Sequence, residues 1–193
     1  MRSTVNRTAL VATLMLATVG VCHPAGALDA ARPTTGTGIG IFYQPDAPQT
    51  TTLWQPGDTG QRLQLRGRVL STSGAPVANA LVELWHADST GSVDESRYRA
   101  SQRSGADGYF GVKTVLPGHI EMARYNDVFG PRHIHIVVTH PDHERLVSLI
   151  YFKGDERLAN TPYPELAIAL DETGSGEDAF LFGAVEIVLA QRP

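Results

Sequence analysis

The sequence is poor in the features that would make several function classes easy to recognise. It has one cysteine, Cys22, in 193 residues. An internal disulfide and any multi-cysteine zinc or iron–sulfur site are therefore excluded. There is no excess of positive charge: 16 basic against 20 acidic residues leave a net charge of −4, which argues against nucleic acid or an anionic membrane surface as partner. Aromatic residues make up only 7%, and no apolar run reaches the ~18 residues a membrane span needs. Low-complexity tracts and internal repeats are also missing. With 42% hydrophobic and 19% charged residues, the remainder has ordinary globular composition.

The N-terminus is the exception. Arg2 and Arg7 precede an apolar run from Ala9 to Val21, and Ala25-Gly26-Ala27 forms a small-residue exit. A charged start, a short apolar centre and an A-x-A site predict a secretory signal peptide over residues 1–27. A single N-terminal anchor is the alternative; Val21 is too bulky for a lipoprotein site at Cys22. Cleavage after Ala27 removes Cys22 and two arginines, leaving 166 residues with a net charge of −6. The product is expected in the periplasm or outside the cell, free of the membrane and stabilised by its core alone.

Residues 28–60 are rich in Pro, Gly, Thr and Gln and predict an extended arm with one anchor at Ile41-Phe42-Tyr43. Such an arm leaves a homo-oligomer by exchange between copies open. From residue 61 to 193 the pattern changes to short alternating runs. Leu63-x-Leu65-x-Gly67-x-Val69 ends at Ser73-Gly74-Ala75-Pro76, and Ala80-x-Val82-x-Leu84 ends at Asp88-Ser89-Thr90-Gly91. Tyr109–Val112 lies between Asp107-Gly108 and Pro117-Gly118; Ile134–Val138, Leu146–Phe152 and Ala184–Leu189 follow. Short strands spaced by turns predict a single all-β sandwich of the transthyretin or immunoglobulin-like kind. One short helix is expected near Pro164–Leu170.

The densest chemistry is Pro131-Arg132-His133-Ile134-His135-Ile136. Residues two apart on a strand share a face. His133 and His135 therefore present two imidazoles together while Ile134 and Ile136 turn into apolar packing. Paired neutral imidazoles suit zinc, copper or iron. Two hydrogen-bonded surface histidines would give the same pattern.

The wider order of motifs resembles the intradiol ring-cleavage dioxygenases, the catechol 1,2- and protocatechuate 3,4-dioxygenases. It runs through Gly40-Ile41-Phe42-Tyr43, Leu65-x-Gly67-x-Val69, Val82-Glu83-Leu84-Trp85-x-Ala87-Asp88 and Asp107-Gly108-Tyr109-Phe110. It continues through Thr114-Val115-x-Pro117-Gly118 and Pro131-x-His133-Ile134-His135 to Leu146–Asp155. The resemblance implies a β-sandwich holding non-haem Fe(III) through two tyrosines and two histidines. It also implies O₂-dependent cleavage of an aromatic diol between its hydroxyl-bearing carbons. Phenolate donors favour Fe(III), and the ion acts as Lewis acid and template.

On this resemblance His133 and His135 are the histidine ligands. The tyrosines do not carry over directly. Gly91-Ser92-Val93 stands where Gly-x-Tyr is expected, and Pro117-Gly118-His119-Ile120 where Pro-Gly-x-Tyr is expected. Tyr98 and Tyr125 are the nearby candidate phenolates, with His119 as a possible substitute ligand. Tyr98, Tyr125 and Arg132 are the catalytic candidates, Arg132 being displaced from the place directly before Pro131. A set of His133, His135 and His119 would be neutral and would suit Zn, Cu or Fe(II). Three readings stay open: an exported iron dioxygenase, a secreted binding module without catalysis, and a three-histidine metalloenzyme.

Other residues carry plainer expectations. Glu83 reads as structural, and His86 as a partly buried strand residue or pocket lining. Trp54 and Trp85 read as core or arm anchors. His140 and His143 are expected to be exposed in a turn, and Asp155 and Glu156 to open a solvated loop.

Overall fold

Alternation of apolar and polar residues dictates the architecture. The computed structural model describes residues 30–40, 42–94, 96–120 and 130–193, so the signal peptide expected over residues 1–27 lies outside the described residues. Nine strands form. They are β1 (Arg62–Ser71), β2 (Leu81–Trp85), β3 (Arg99–Arg103), β4 (Tyr109–Val115), β5 (His133–Thr139), β6 (Leu146–Phe152), β7 (Ala167–Ile168), β8 (Leu170–Thr173) and β9 (Phe180–Leu189).

Two sheets result. One is ordered β4-β1-β9-β8, with β1 and β9 parallel; the other is β3-β2-β5-β6-β7, antiparallel except for β6 and β7. Leu63, Leu65, Val69, Val82, Leu84, Ile134, Ile136, Val138, Ile150, Ile187 and Leu189 fill the space between them. Full burial of one such side chain contributes about 1.5–3 kcal/mol, which lets a cysteine-poor chain dispense with cross-links.

Two elements differ from expectation. β3 has the sequence Arg-Ala-Ser-Gln-Arg, in which no run of apolar residues marks a strand; its pairing with β2 makes it one. The helix expected near Pro164–Leu170 is only a 3-10 turn, Pro164–Leu166, followed by β7 and β8. Proline starts the turn, but parallel pairing of Ala167 and Ile168 with Tyr151 and Phe152 ends it at once.

The arm is extended, as its composition suggests, and it is hydrogen-bonded to both sheets. Thr34 N–H donates to Val188 and Thr37 N–H to Val147, at 2.9 and 2.7 Å; Leu53 N–H reaches Lys113 at 2.7 Å. It covers the outer face of the five-stranded sheet. As a result Val137, which points away from the inter-sheet core, is as fully buried as Ile136. Strand β5 is enclosed on both sides.

Gly67 on β1 faces Phe110 on β4. A Cβ at position 67 would lie 1.9 Å from Phe110 Cζ, so the ring occupies the space a side chain would take. Gly67→Ala should lower the free energy of unfolding by about 1–3 kcal/mol through overpacking. Pairing it with Phe110→Leu should recover part of the loss. Chemical denaturation of the two variants checks this; an unchanged Gly67→Ala midpoint would refute it.

Candidate metal centre

The inward alternation of Ile134, Ile136 and Val138 turns His133 and His135 to the outer face of β5, beneath the arm. His133 Nε2 and His135 Nε2 are 3.2 Å apart, with the rings edge to face. His133 Nδ1 donates to the Pro131 carbonyl at 2.9 Å, which leaves its Nε2 lone pair free. Two nitrogens bound to one ion at about 2.1 Å would be separated by a similar distance. The two imidazoles therefore fit a shared metal ion. Burial lowers both pKa values, that of His135 to about 3, where His133 and His86 add repulsion. Both rings are thus neutral and able to act as ligands at neutral pH.

His135 is held by what surrounds it. Trp85, its cross-strand partner, stacks on it at 4.6 Å with planes 3° apart. Tyr43 packs on Trp85 at 5.2 Å and directs its hydroxyl to the Glu83 carboxylate at 3.4 Å. The arm takes its path through left-handed backbone at Gly40 (φ +72°) and Phe42 (φ +67°), the latter an uncommon conformation for an aromatic residue. Arg99 donates to the carbonyls of Phe42 and Gln44 and holds this path in place. A Cβ at Gly40 would lie 2.6 Å from His135 Cε1. Trp85 is thus an arm anchor as expected, and it also backs a candidate ligand. Glu83 is structural as expected.

The remaining polar residues gather where β2 and β6 end and β5 begins. His86 is buried and ties the sheets together: its Nδ1 donates to Ala87 O at 2.6 Å and its Nε2 accepts from the Thr114 hydroxyl at 2.8 Å. Burial lowers its pKa to about 4. Tyr98 has left-handed backbone (φ +50°) and packs in the core beside His86. Burial and the neighbouring Asp58 carboxylate raise its pKa. Tyr125 lies outside the described residues.

His119 is likewise engaged elsewhere: Nε2 contacts both Asp155 oxygens at 3.1 Å. Asp155 is not in a solvated loop. Its side chain is 0% exposed, and it accepts from Arg132 Nε (2.8 Å), Arg132 N (3.2 Å) and Arg157 N (2.8 Å). Burial alone would raise its pKa, but Arg132, the Arg157 amide and His119 outweigh that and bring it to about 2. Glu156 is exposed as expected. His140 and His143 are half-buried, not free in solvent, with Nδ1 atoms 3.1 Å apart. Trp54 packs against the core, with Arg62 stacked on it at 4.8 Å. Among the described residues, no three His, Cys, Asp or Glu come together to hold an ion. Asp155 is the residue that composition misses: Gly154-Asp155 resembles an ordinary turn, and only its long-range partners mark it.

A family model described as "Dioxygenase" matches residues 41–189. The chain belongs to the intradiol dioxygenase family. It is 36% identical over 121 residues to catechol 1,2-dioxygenase 2 of Acinetobacter lwoffii, covering 52% of this chain and 43% of that one. It is 33% identical over 117 residues to the protocatechuate 3,4-dioxygenase beta chain of Burkholderia cepacia, covering 53% and 49%. The chain spans about half the length of the curated relatives it matches. Among solved structures, 3-chlorocatechol 1,2-dioxygenase of Rhodococcus opacus superposes with a TM-score of 0.77 at 22% identity, covering 84% of this chain and 74% of that one. The dioxygenase domain of a dioxygenase–carbohydrate-binding protein fusion from Streptomyces sp. SirexAA-E gives 0.68 at 27%, covering 82% and 99%. The all-β sandwich is the fold of these proteins.

Two predictions follow from this geometry. Gly40→Ala should weaken metal binding roughly tenfold to a hundredfold, the usual effect of disturbing a group that orients a ligand. Chelator competition on the folded variant tests this, and wild-type affinity would refute it. The second concerns acid. His86 is neutral when folded, down to about pH 4, but takes a proton near pH 6.5 when unfolded. The unfolded state therefore binds more protons between those values, so stability falls as pH drops through that window. For His86 the loss is on the order of 3 kcal/mol. Denaturation of metal-free protein at pH 7 and pH 4.5 reads it, and a flat profile would contradict the buried neutral state.

Proposed function

We propose that this chain is an exported, metal-dependent intradiol-type dioxygenase acting on catechol-class aromatic diols with O₂. Convergence of the His133 and His135 Nε2 atoms, within a chain of this family, is the observation that carries the reading. Fe(III) is the proposed ion, with His133 and His135 its histidine ligands. When bound, it would supply Lewis acidity and a template for the diol and O₂. Export to the periplasm or beyond rests on the leader sequence.

The phenolate half of a ferric set does not fit the positions where the resemblance expects it, because Val93 and Ile120 stand there. Tyr98 is turned to Asp58. We assign the phenolate role to Tyr125, eight residues before His133 in the same connection. The residues around the pair have separable tasks. Trp85 and Gly40 fix the His135 ring, Pro131 fixes the His133 tautomer, and the arm keeps bulk water from both. Arg132 is held through Nε by Asp155 at the entry to the strand that carries both histidines.

Visible absorption of the protein after ferric loading tests the assignment. A tyrosinate-to-iron band should appear, vanish in Tyr125→Phe and persist in Tyr98→Phe. His133→Ala and His135→Ala should each abolish stoichiometric metal binding. A colourless protein that still binds metal would overturn the phenolate assignment and favour a neutral site for Zn, Cu or Fe(II). A protein that binds no metal would overturn the enzyme reading in favour of a binding module.

A further inference from the structure

The two outer faces of the sandwich differ. The arm lies over the five-stranded sheet, whereas the outer side chains of the four-stranded sheet are exposed or half-buried. A shallow groove crosses this second face, its walls including Arg66, Arg68, Tyr109, Phe182, Ala184 and Glu186. Arg66 and Arg68 lean on the Tyr109 ring at 4.1 and 5.1 Å. Neither arginine forms an ion pair among the described residues, and nor do Lys113, Asp171 and Glu186. The face thus combines aromatic surface with unpaired charge of both signs.

That charge is sorted by strand. β4 and β1 present Lys113, Arg66 and Arg68, while β9 and β8 present Glu186 and Asp171. Register sets these groups in rows across the sheet. One row reads Lys113, Gln64, Phe182, Asp171, and another reads Tyr109, Arg68, Glu186. Between them Arg66 is flanked by the small residues Gly111 and Ala184. Each charged row is basic on one side and acidic on the other. A two-fold axis parallel to the strands, between β1 and β9, would lay β1 over β9 of a second copy and β4 over its β8. It keeps every residue at its own level along the strand. Lys113 then faces the second copy's Asp171, Arg68 faces its Glu186 and Gln64 faces its Phe182, each pair made twice. Arg66 meets Ala184, which leaves room for its length. An axis across the strands would instead set β1 on β1 and bring like charges together.

We propose that the outer face of the β4-β1-β9-β8 sheet joins two copies of this chain, back to back, through these complementary rows. Packed sheets lie about 10 Å apart with strands within ~30° of each other, a gap that lysine and arginine side chains span from one side. A lone surface ion pair contributes little; here several pairs act together around Tyr109 and Phe182. Four strands at ~4.8 Å spacing and about seven residues at ~3.3 Å give a face on the order of 450 Å² in projection. That is at the small end of specific interfaces, so the dimer exchanges with monomer at micromolar concentration. The histidine pair lies on the outer face of the other sheet, so both candidate centres point away from the contact. The inference is independent of the catechol reading.

Sedimentation velocity of the mature chain over a micromolar concentration series tests this. A monomer–dimer equilibrium should appear at low salt and weaken at least tenfold between ~0.05 and ~0.5 M salt. Two charge-reversal variants make the test specific: Arg68→Glu with Lys113→Glu, and Asp171→Lys with Glu186→Lys. All four positions are on the surface, and circular dichroism confirms that the variants fold. Each variant alone should be monomeric, because like charges then face each other twice. An equimolar mixture of the two should dimerise again, because every reversed group meets its opposite. A wild type that is monomeric throughout the series would overturn the proposal. So would a dimer that persists in both variants, which would place the contact on the arm or another edge. A mixture that stays monomeric would overturn the two-fold pairing of these rows.

Discussion

Strand β5 is the constraint on which the rest depends, because both of its faces are buried. One face supplies Ile134, Ile136 and Val138 to the space between the sheets; the other carries His133, His135 and Val137. A sandwich has an apolar partner for only one face of each sheet. The second face needs a separate cover, and the arm provides it. The two imidazoles thus sit largely out of water without interrupting the main core. The low pKa values of both histidines follow from this placement.

Asp155 plays the corresponding role for the loops. A carboxylate with no exposed surface is costly unless its oxygens are satisfied. Here the donors come from three segments: His119 after β4, Arg132 before β5, and the amide of Arg157 after β6. Removing any one donor would leave buried charge less well paired. One carboxylate therefore ties both ends of the β4–β5 connection to the segment that follows β6.

Much of this was legible in the sequence. Alternation located the main strands, and His-x-His located the imidazole pair, because both depend on spacing along one strand. Three kinds of feature were less legible. β3 is polar and becomes a strand through its neighbours. Asp155 looks like a turn residue until partners 23 and 36 positions away are known. The direction of the Tyr98 side chain is set by a left-handed backbone that no local motif announces. Each depends on contacts between distant segments, which periodicity does not encode.

The parallel pairing of β1 with β9 bears on how the chain reaches this state. Leu63 lies beside Leu181 and Ser71 beside Leu189, and Thr34 of the arm hydrogen-bonds Val188. The first strand thus lacks one neighbour until the last has been synthesised, and the arm cannot finish docking before then. Such long-range closure is slow. A nascent chain can remain incompletely folded throughout its synthesis, the condition under which a polypeptide can still be threaded through a narrow translocation pore.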